Sequence, residues 1–335
     1  MHKIDLENYE VRTDMIVDLA EKNEAIKSDT YNSGNIKVSW IQLDINNDIN
    51  KKPGIYLTLE FEDITDDDSK KEVSDVFKKE FKKMLEKVNY KKEYKTMVVG
   101  LGNVKSTPDA LGPLVTDKII VTNHLFDMNI DVDDNLSCVS AFYPGVTGTT
   151  GIETFDYIKG VVEKVKPDLV ILIDALASSS ITRINRSIQI SDTGISPGSG
   201  IGNKRKEISK ETLGIPVIAI GIPTVVDATI IVSDTINYMM KNYVYNKQFL
   251  KKKISKFINQ PVNYLKSDIN VSDEDKKQLL GLVGMLNNEE LRKLTYEVLK
   301  PIGYNLMVTP KEVDFVIEKL SDVLSYGINH SLHNI

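Results

Sequence analysis

The chain holds 335 residues, 41% of them hydrophobic, which is enough for one large α/β domain with an appendage or for two domains. A formal net charge of −6 gives no support for direct binding to nucleic acid or to an anionic membrane. The single cysteine, Cys138, excludes an intrachain disulfide, no apolar run is long enough to span a bilayer, and the charged N-terminus lacks a signal-peptide core, so a soluble cytoplasmic protein is expected.

Residues 1–34 are polar and end in a loop-like stretch, Ser28 to Asn35. Two strands are predicted next, Ile36–Ile45 and Ile55–Phe61, joined by the polar linker Asn46–Gly54. A helix follows over about Ser69–Val88, because Val73, Val76, Phe77, Phe81, Met84, Leu85 and Val88 keep the helical period. The chain then alternates. Strands are predicted at Thr96–Leu101, Leu136–Phe142, Leu169–Ile173 and Ile215–Ile222, with a further short one at Ser187–Ser191. Helices are predicted from Asp109 to about Phe126, over Gly151–Lys166, and from Asp227 to about Asn242; Thr107 would cap the first and Pro108 would open it. This alternation predicts an α/β fold with a doubly wound, mostly parallel sheet. From about Lys247 the sequence reads helical, and its last helix opens on a capping box of Thr309, Pro310 and Glu312. The expected regions are a strand/helix appendage over 15–95, an α/β core over 96–246 and a helical C-terminal region over 247–335.

Two aspartates stand out in the core. Asp174 ends the apolar run Leu169-Val170-Ile171-Leu172-Ile173, which places it at the carboxyl end of a buried strand, where open α/β sheets bind ligands. Asp109 follows the strand run Met97-Val98-Val99-Gly100 and the loop after it. A helix dipole should lower the pKa of Asp109, and burial should raise that of Asp174. Carboxylates pushed apart in this way can divide acid and base roles. The plainer readings are a helix-stabilising carboxylate at Asp109 and a loop anchor at Asp174. The glycines at 100 and 102 invite a dinucleotide fingerprint, but its third glycine falls on Lys105. A second glycine-rich loop, Ser196 to Lys206, is either a plain surface loop or a substrate clamp in which Gly200 allows close approach and Arg205, with Lys204 and Lys206, reads a carboxylate. Metal-ligand spacing and a serine nucleophile elbow are both lacking, and Cys138 sits in an apolar strand-like run, so no cofactor or metal is expected.

The chain resembles the germination protease, or spore protease, family. The matching runs include Val98-Val99-Gly100-Leu101-Gly102-Asn103, Thr107-Pro108-Asp109-Ala110-Leu111-Gly112-Pro113, Ile173-Asp174-Ala175-Leu176-Ala177, Gly202-Asn203-Lys204-Arg205-Lys206 and Gly221-Ile222-Pro223-Thr224-Val225-Val226-Asp227. The resemblance implies a fold shared with the hydrogenase maturation proteases and an unusual aspartic-type endopeptidase with Asp109 and Asp174 as its two aspartates. It implies a homotetramer of the forespore and spore core that degrades small acid-soluble, DNA-coating spore proteins at germination, cutting next to a glutamate. It also implies a zymogen that removes its own propeptide, residues 1–14, by cleavage between Asp14 and Met15. The residues after that bond, Met15-Ile16-Val17-Asp18, depart from the family's usual Leu-Ala-Val-Glu. Rival readings are a metal-dependent maturation-type protease, a non-catalytic holder of spore proteins, and a phosphate-binding α/β enzyme.

Overall fold

The structure, a computed structural model, describes residues 13–21, 23, 26–45, 47, 51–128, 132–198, 205–251, 269–299 and 306–335. In chain order its elements are α1 (Ile16–Ala20), β1 (Ser28–Ser33), β2 (Ile36–Leu43), β3 (Gly54–Glu60), α2 (Asp67–Lys87), β4 (Thr96–Gly100), a 3-10 turn (Thr107–Asp109) and α3 (Leu111–Thr116). There follow α4 (Asn123–Asp127), β5 (Val139–Phe142), α5 (Thr147–Thr150), α6 (Thr154–Val165), β6 (Leu169–Ser178), β7 (Ser187–Ser191), α7 (Lys210–Leu213), β8 (Val217–Asp227), α8 (Ala228–Lys251), α9 (Asp273–Leu280), α10 (Asn288–Leu299) and α11 (Val313–Leu332). The chain forms two compact units, one of Arg12–Val226 with Thr309–Ile335, the other including Asp227–Val308.

In the larger unit one sheet runs in the order β1-β2-β3-β7-β8-β6-β4-β5. It is parallel from β8 through β6 and β4 to β5 and antiparallel from β8 through β7 to β1. The α/β core is as expected, and the N-terminal strands extend its sheet rather than forming another. Alternate residues of each strand reach opposite faces. Val98, Ile171, Ile173, Ile188, Ile190, Ile218 and Ile220 share one core with residues of α2, α3 and α11. Met97, Val99, Val170, Leu172, Val217 and Ala219 share another with Ile158 and Val162 of α6. On the antiparallel half of this second face, Met15, Ile16 and Val17 pack with Ile41, Leu43, Tyr56 and Leu176.

Several expectations change. Ser28–Ser33 is a strand despite its polar sequence, because it pairs along its whole length with β2 and its burial is low. The helix expected from Asp109 is a 3-10 turn followed by the short α3. Beyond α3 the chain is drawn to other elements: Thr122 N–H donates to the Val139 carbonyl (2.8 Å), and Ile120 N–H donates to the Asn329 side chain (3.0 Å). Neither Thr107 nor Thr309 is a helix cap. Ser106 precedes the 3-10 turn, and the Thr309 hydroxyl donates to the Thr224 carbonyl (2.8 Å) while α11 starts after Glu312. The C-terminal region is divided: α8, α9 and α10 lie in the smaller unit, whereas α11 packs on α2, where a Cβ at Gly327 would stand 2.2 Å from the Phe77 ring.

In the smaller unit α8 and α10 are joined by Arg292, whose Nε donates to Ser233 Oγ (3.1 Å), and by the pair Asn237–Asn288 (2.8 Å). Among the described residues no helix is long and apolar enough to cross a membrane.

Candidate active site

Asp174 lies inside β6, not at its end. The strand runs on to Ser178 because Ala175 to Ser178 continue pairing with β8 across a register shift at Leu176/Ala177. On its other side the neighbour stops first: β4 pairs only as far as Gly100↔Ile173 and then turns away, with Leu101 N–H donating to the Ile173 carbonyl (2.7 Å). Asp174 is thus the first residue of β6 beyond the end of β4. It is 7% exposed, and its Oδ1 accepts from Ala175 N–H (3.0 Å).

The loop that leaves β4 carries Asp109. Gly102 has φ +111°, and a Cβ there would stand 2.0 Å from the Asp109 carbonyl oxygen, so the close approach of loop and 3-10 turn needs glycine. Asn103 N–H donates to that carbonyl (3.0 Å), and the Thr224 hydroxyl of β8 donates to the carbonyl of Pro108 (2.6 Å).

Burial raises the Asp109 pKa to about 6, against a smaller opposing pull from the Asn103 N–H. The expected lowering by a helix dipole fails, because Asp109 ends a 3-10 turn rather than starting a helix. Burial first, then the charges of Asp109 and Asp14, push the Asp174 carboxyl well above the ordinary carboxylate range. Both carboxyls are raised, and Asp174 titrates in the field of Asp109.

The segment Thr13–Ile16 lies against β6 and β7. Asp14 N–H donates to the Ala177 carbonyl (2.9 Å), and Ala177 N–H donates to the Asp14 carboxylate (2.9 Å). Gln189 Nε2 donates to the Asp14 carbonyl oxygen (3.0 Å), and Gln189 Oε1 accepts from Ile16 N–H (2.6 Å). Lys51 Nζ donates to the Thr13 carbonyl (3.1 Å). The Asp14 carboxylate is one of the charges that help Asp174 keep its proton. Asp14, Lys51, Lys52, Tyr56 and Gln189 all line a cavity of about 300 Å³ over this face.

Arg205 donates to the Thr147 hydroxyl and pairs with Glu153 (3.5 Å); Lys206 pairs with Asp156 (2.9 Å) and lies over the Phe155 ring. These contacts tie both cations to α5 and α6. Gly200 and Lys204 fall outside the described residues. Two residues of the site escaped sequence reasoning. Lys51 sits in a linker that reads as polar loop. Gln189 sits in Ser-Ile-Gln-Ile-Ser, whose alternation announces a strand but makes its polar face look like a solvent face. Among the described residues no group of three or more His, Cys, Asp and Glu side chains is placed to hold a metal ion.

Comparison with known proteins places the chain. The germination protease family profile matches residues 6–335. A germination protease from Geobacillus sp. strain WCH70 is 47% identical over 98% of this chain and 95% of its own length. One from Bacillus cereus strain ATCC 10987 is 47% identical over 99% of this chain and 96% of its own. Among solved structures, a NiFe hydrogenase maturation protease from Thermococcus kodakarensis aligns at 20% identity and a TM-score of 0.26, covering 42% of this chain and 80% of that one. The chain belongs to the germination protease family and is a peptidase.

Proposed function

We propose that the chain is an aspartic-type endopeptidase, made as a self-processing zymogen, that degrades small acid-soluble DNA-binding spore proteins at germination in the spore core, where it works as a homotetramer. The observation that carries this reading is the Asp14–Met15 bond lying over β6 and β7, its carbonyl held by Gln189 in the sheet row that ends in Asp174. The family supplies the substrate class, the compartment and the tetramer. The geometry supports the mechanism.

Asp109, the carboxyl that ionises near pH 6, is the base. It takes a proton from a water whose oxygen attacks the scissile carbonyl carbon. Asp174, held neutral, gives its proton to the carbonyl oxygen. The tetrahedral intermediate collapses as the proton on Asp109 passes to the leaving nitrogen and the oxygen returns its proton to Asp174. A carboxylate-reading cation completes the site. Arg205 remains a candidate for a substrate glutamate, but Lys51 and Lys52 line the cavity itself.

The test is cleavage by Asp109→Asn and Asp174→Asn chains, followed as loss of residues 1–14 and as fragmentation of a small acid-soluble spore protein. Each substitution should cut the rate by roughly 10²–10⁴-fold, the usual contribution of a general acid or base, with an unchanged circular dichroism spectrum. Wild-type turnover in either variant would remove the dyad. Loss of wild-type activity with a chelator, restored by one added metal, would transfer the reading to the metal-dependent class.

A further inference from the structure

We propose that the Gln189 side-chain amide is a catalytic group of this site: its Nε2 holds the oxygen of the scissile carbonyl, and its Oε1 holds the backbone N–H two residues downstream. The proposal rests on the reading that Thr13–Ile16 occupies the site as a substrate does.

Position is the first argument. Gln189 of β7 pairs with Gly221 of β8, and Gly221 pairs with Asp174 of β6. Laterally paired residues project from the same face of a sheet. Asp174 and Gln189 are therefore the two ends of one row, and the residue between them has no side chain. A Cβ at Gly221 would stand 2.5 Å from Leu176 Cγ, so the row is kept open for Leu176 and for the chain lying over it.

Hydrogen bonding is the second. Gln189 is 8% exposed, and a buried amide needs partners for both its ends. The partners it has are the Asp14 carbonyl (3.0 Å) and the Ile16 N–H (2.6 Å), which span the Asp14–Met15 bond. The orientation of the amide follows from them, since a carbonyl must receive a donor and an N–H an acceptor. Once residues 1–14 depart, the Nε2 donor loses the Asp14 carbonyl and is left facing the cavity, while Oε1 keeps the Ile16 N–H. The freed donor reads no side chain, which suits an enzyme that must seat different sequences.

Chemistry is the third. Charge develops on the carbonyl oxygen as water adds, and a fixed neutral donor there stabilises it without adding a charge that would disturb the two carboxyls. Asp109 and Asp174 then handle protons, and Gln189 holds the oxygen in place.

The experiment follows release of the Met15 N-terminus by the full chain in wild type, Gln189→Ala, Gln189→Glu and Asp174→Asn forms. The expected result is a fall of roughly 10²–10³-fold in Gln189→Ala, the cost of losing one oxyanion donor. Gln189→Glu keeps an acceptor for the Ile16 N–H and, once ionised, has no donor, so it should be equally slow above the pH at which that carboxyl ionises. A residue that merely shaped the fold would alter the dyad's pH profile, so the residual activity of Gln189→Ala should keep the wild-type profile. A second measurement uses the self-processed enzyme and a peptide substrate cut in trans. Gln189→Ala should fall by the same roughly 10²–10³-fold there, because the freed donor serves any scissile carbonyl. If Asp174→Asn is inert but Gln189→Ala cleaves at the wild-type rate, the proposal falls and the site stands. A wild-type chain that never releases Met15, or releases it equally well as Asp174→Asn, overturns both.

Discussion

Burial opposes ionisation of Asp174 before any neighbour is counted, and the charges of Asp109 and Asp14 add to it. Asp109 is also raised, to about 6 from an ordinary 3.8. For a carboxyl raised by folding, the stabilising contribution is complete below the ordinary value and is lost as pH climbs through the folded one. Asp109→Asn has no such loss. It should match wild type near pH 4 and be more stable above pH 6, by about 1–3 kcal/mol for a shift of two units. Urea denaturation across that range measures it, and a variant less stable than wild type at pH 7.5 would contradict the burial argument. Peptidase activity should rise through pH 6 as Asp109 ionises. The sequence marked both aspartates as site candidates and read the burial of Asp174 rightly, but it placed Asp174 at the end of its strand and misjudged the surroundings of Asp109. Asp109 looked like a helix-start residue because Thr107-Pro108 reads as a cap, and only the tertiary fold shows the helix to be one 3-10 turn. Gln189 was illegible for a related reason. A polar residue alternating with isoleucines faces water unless something covers it, and the cover comes from residues 13–20, far away in sequence.

At the scale of elements, the position of Asp109 depends on how closely α3 approaches the end of β4. A Cβ on Gly112 would stand 2.2 Å from the Leu101 carbonyl oxygen, 2.5 Å from Leu101 N and 2.6 Å from the Ile173 carbonyl oxygen. All three are backbone atoms, two of them joined in the hydrogen bond that marks where β4 leaves β6. None can move aside as a side chain would. Gly112→Ala should therefore cost about 1–3 kcal/mol of overpacking and also lower activity, because the same displacement carries Asp109 away from Asp174. Denaturation and cleavage assays on one preparation check this; full activity in a destabilised variant would uncouple α3 from the dyad. The sequence showed the strands and long amphipathic helices of this region well, since continuous apolar runs and 3.6-residue periods survive burial. It did not show where helices stop. Between α3 and α4 the stop is imposed by β5 and by Asn329 of α11, which accepts from Ile120 N–H and donates to the Lys118 carbonyl.

Across the larger unit, the segment that follows the proposed cut is held by one buried carboxylate. Asp18 accepts from the Thr13 hydroxyl (2.6 Å), Ser178 Oγ (2.9 Å), Ser179 N–H (2.6 Å) and Arg183 Nη1 (2.6 Å). Arg183 Nε in turn reaches Glu60 of β3 (2.9 Å), so the cluster ties α1 to two strands. Burial works to raise the Asp18 pKa, but the Thr13 hydroxyl, the Arg183 guanidinium and the serine donors together hold it low. Thr13 is the link that the proposed processing would remove. Its Oγ1 accepts from Met15 N–H (3.1 Å) while donating to Asp18, so it stands between the nitrogen that the proposed cut would turn into a terminal ammonium and a waiting carboxylate. Met15 is fully buried, and a buried ammonium is unfavourable without a partner. The expected outcome is that the new Met15 terminus replaces the Thr13 hydroxyl on Asp18 and keeps α1 in place. Asp18→Asn should then destabilise both forms through Arg183, and should destabilise the processed form more, because there it also strands the ammonium; breaking a buried pair typically costs about 3–5 kcal/mol. Hydrogen exchange at residues 15–20 and the melting temperatures of both forms, with and without the substitution, measure the difference. Equal losses in the two forms would mean that the freed terminus leaves the core, and that α1 is released with the propeptide rather than retained by it.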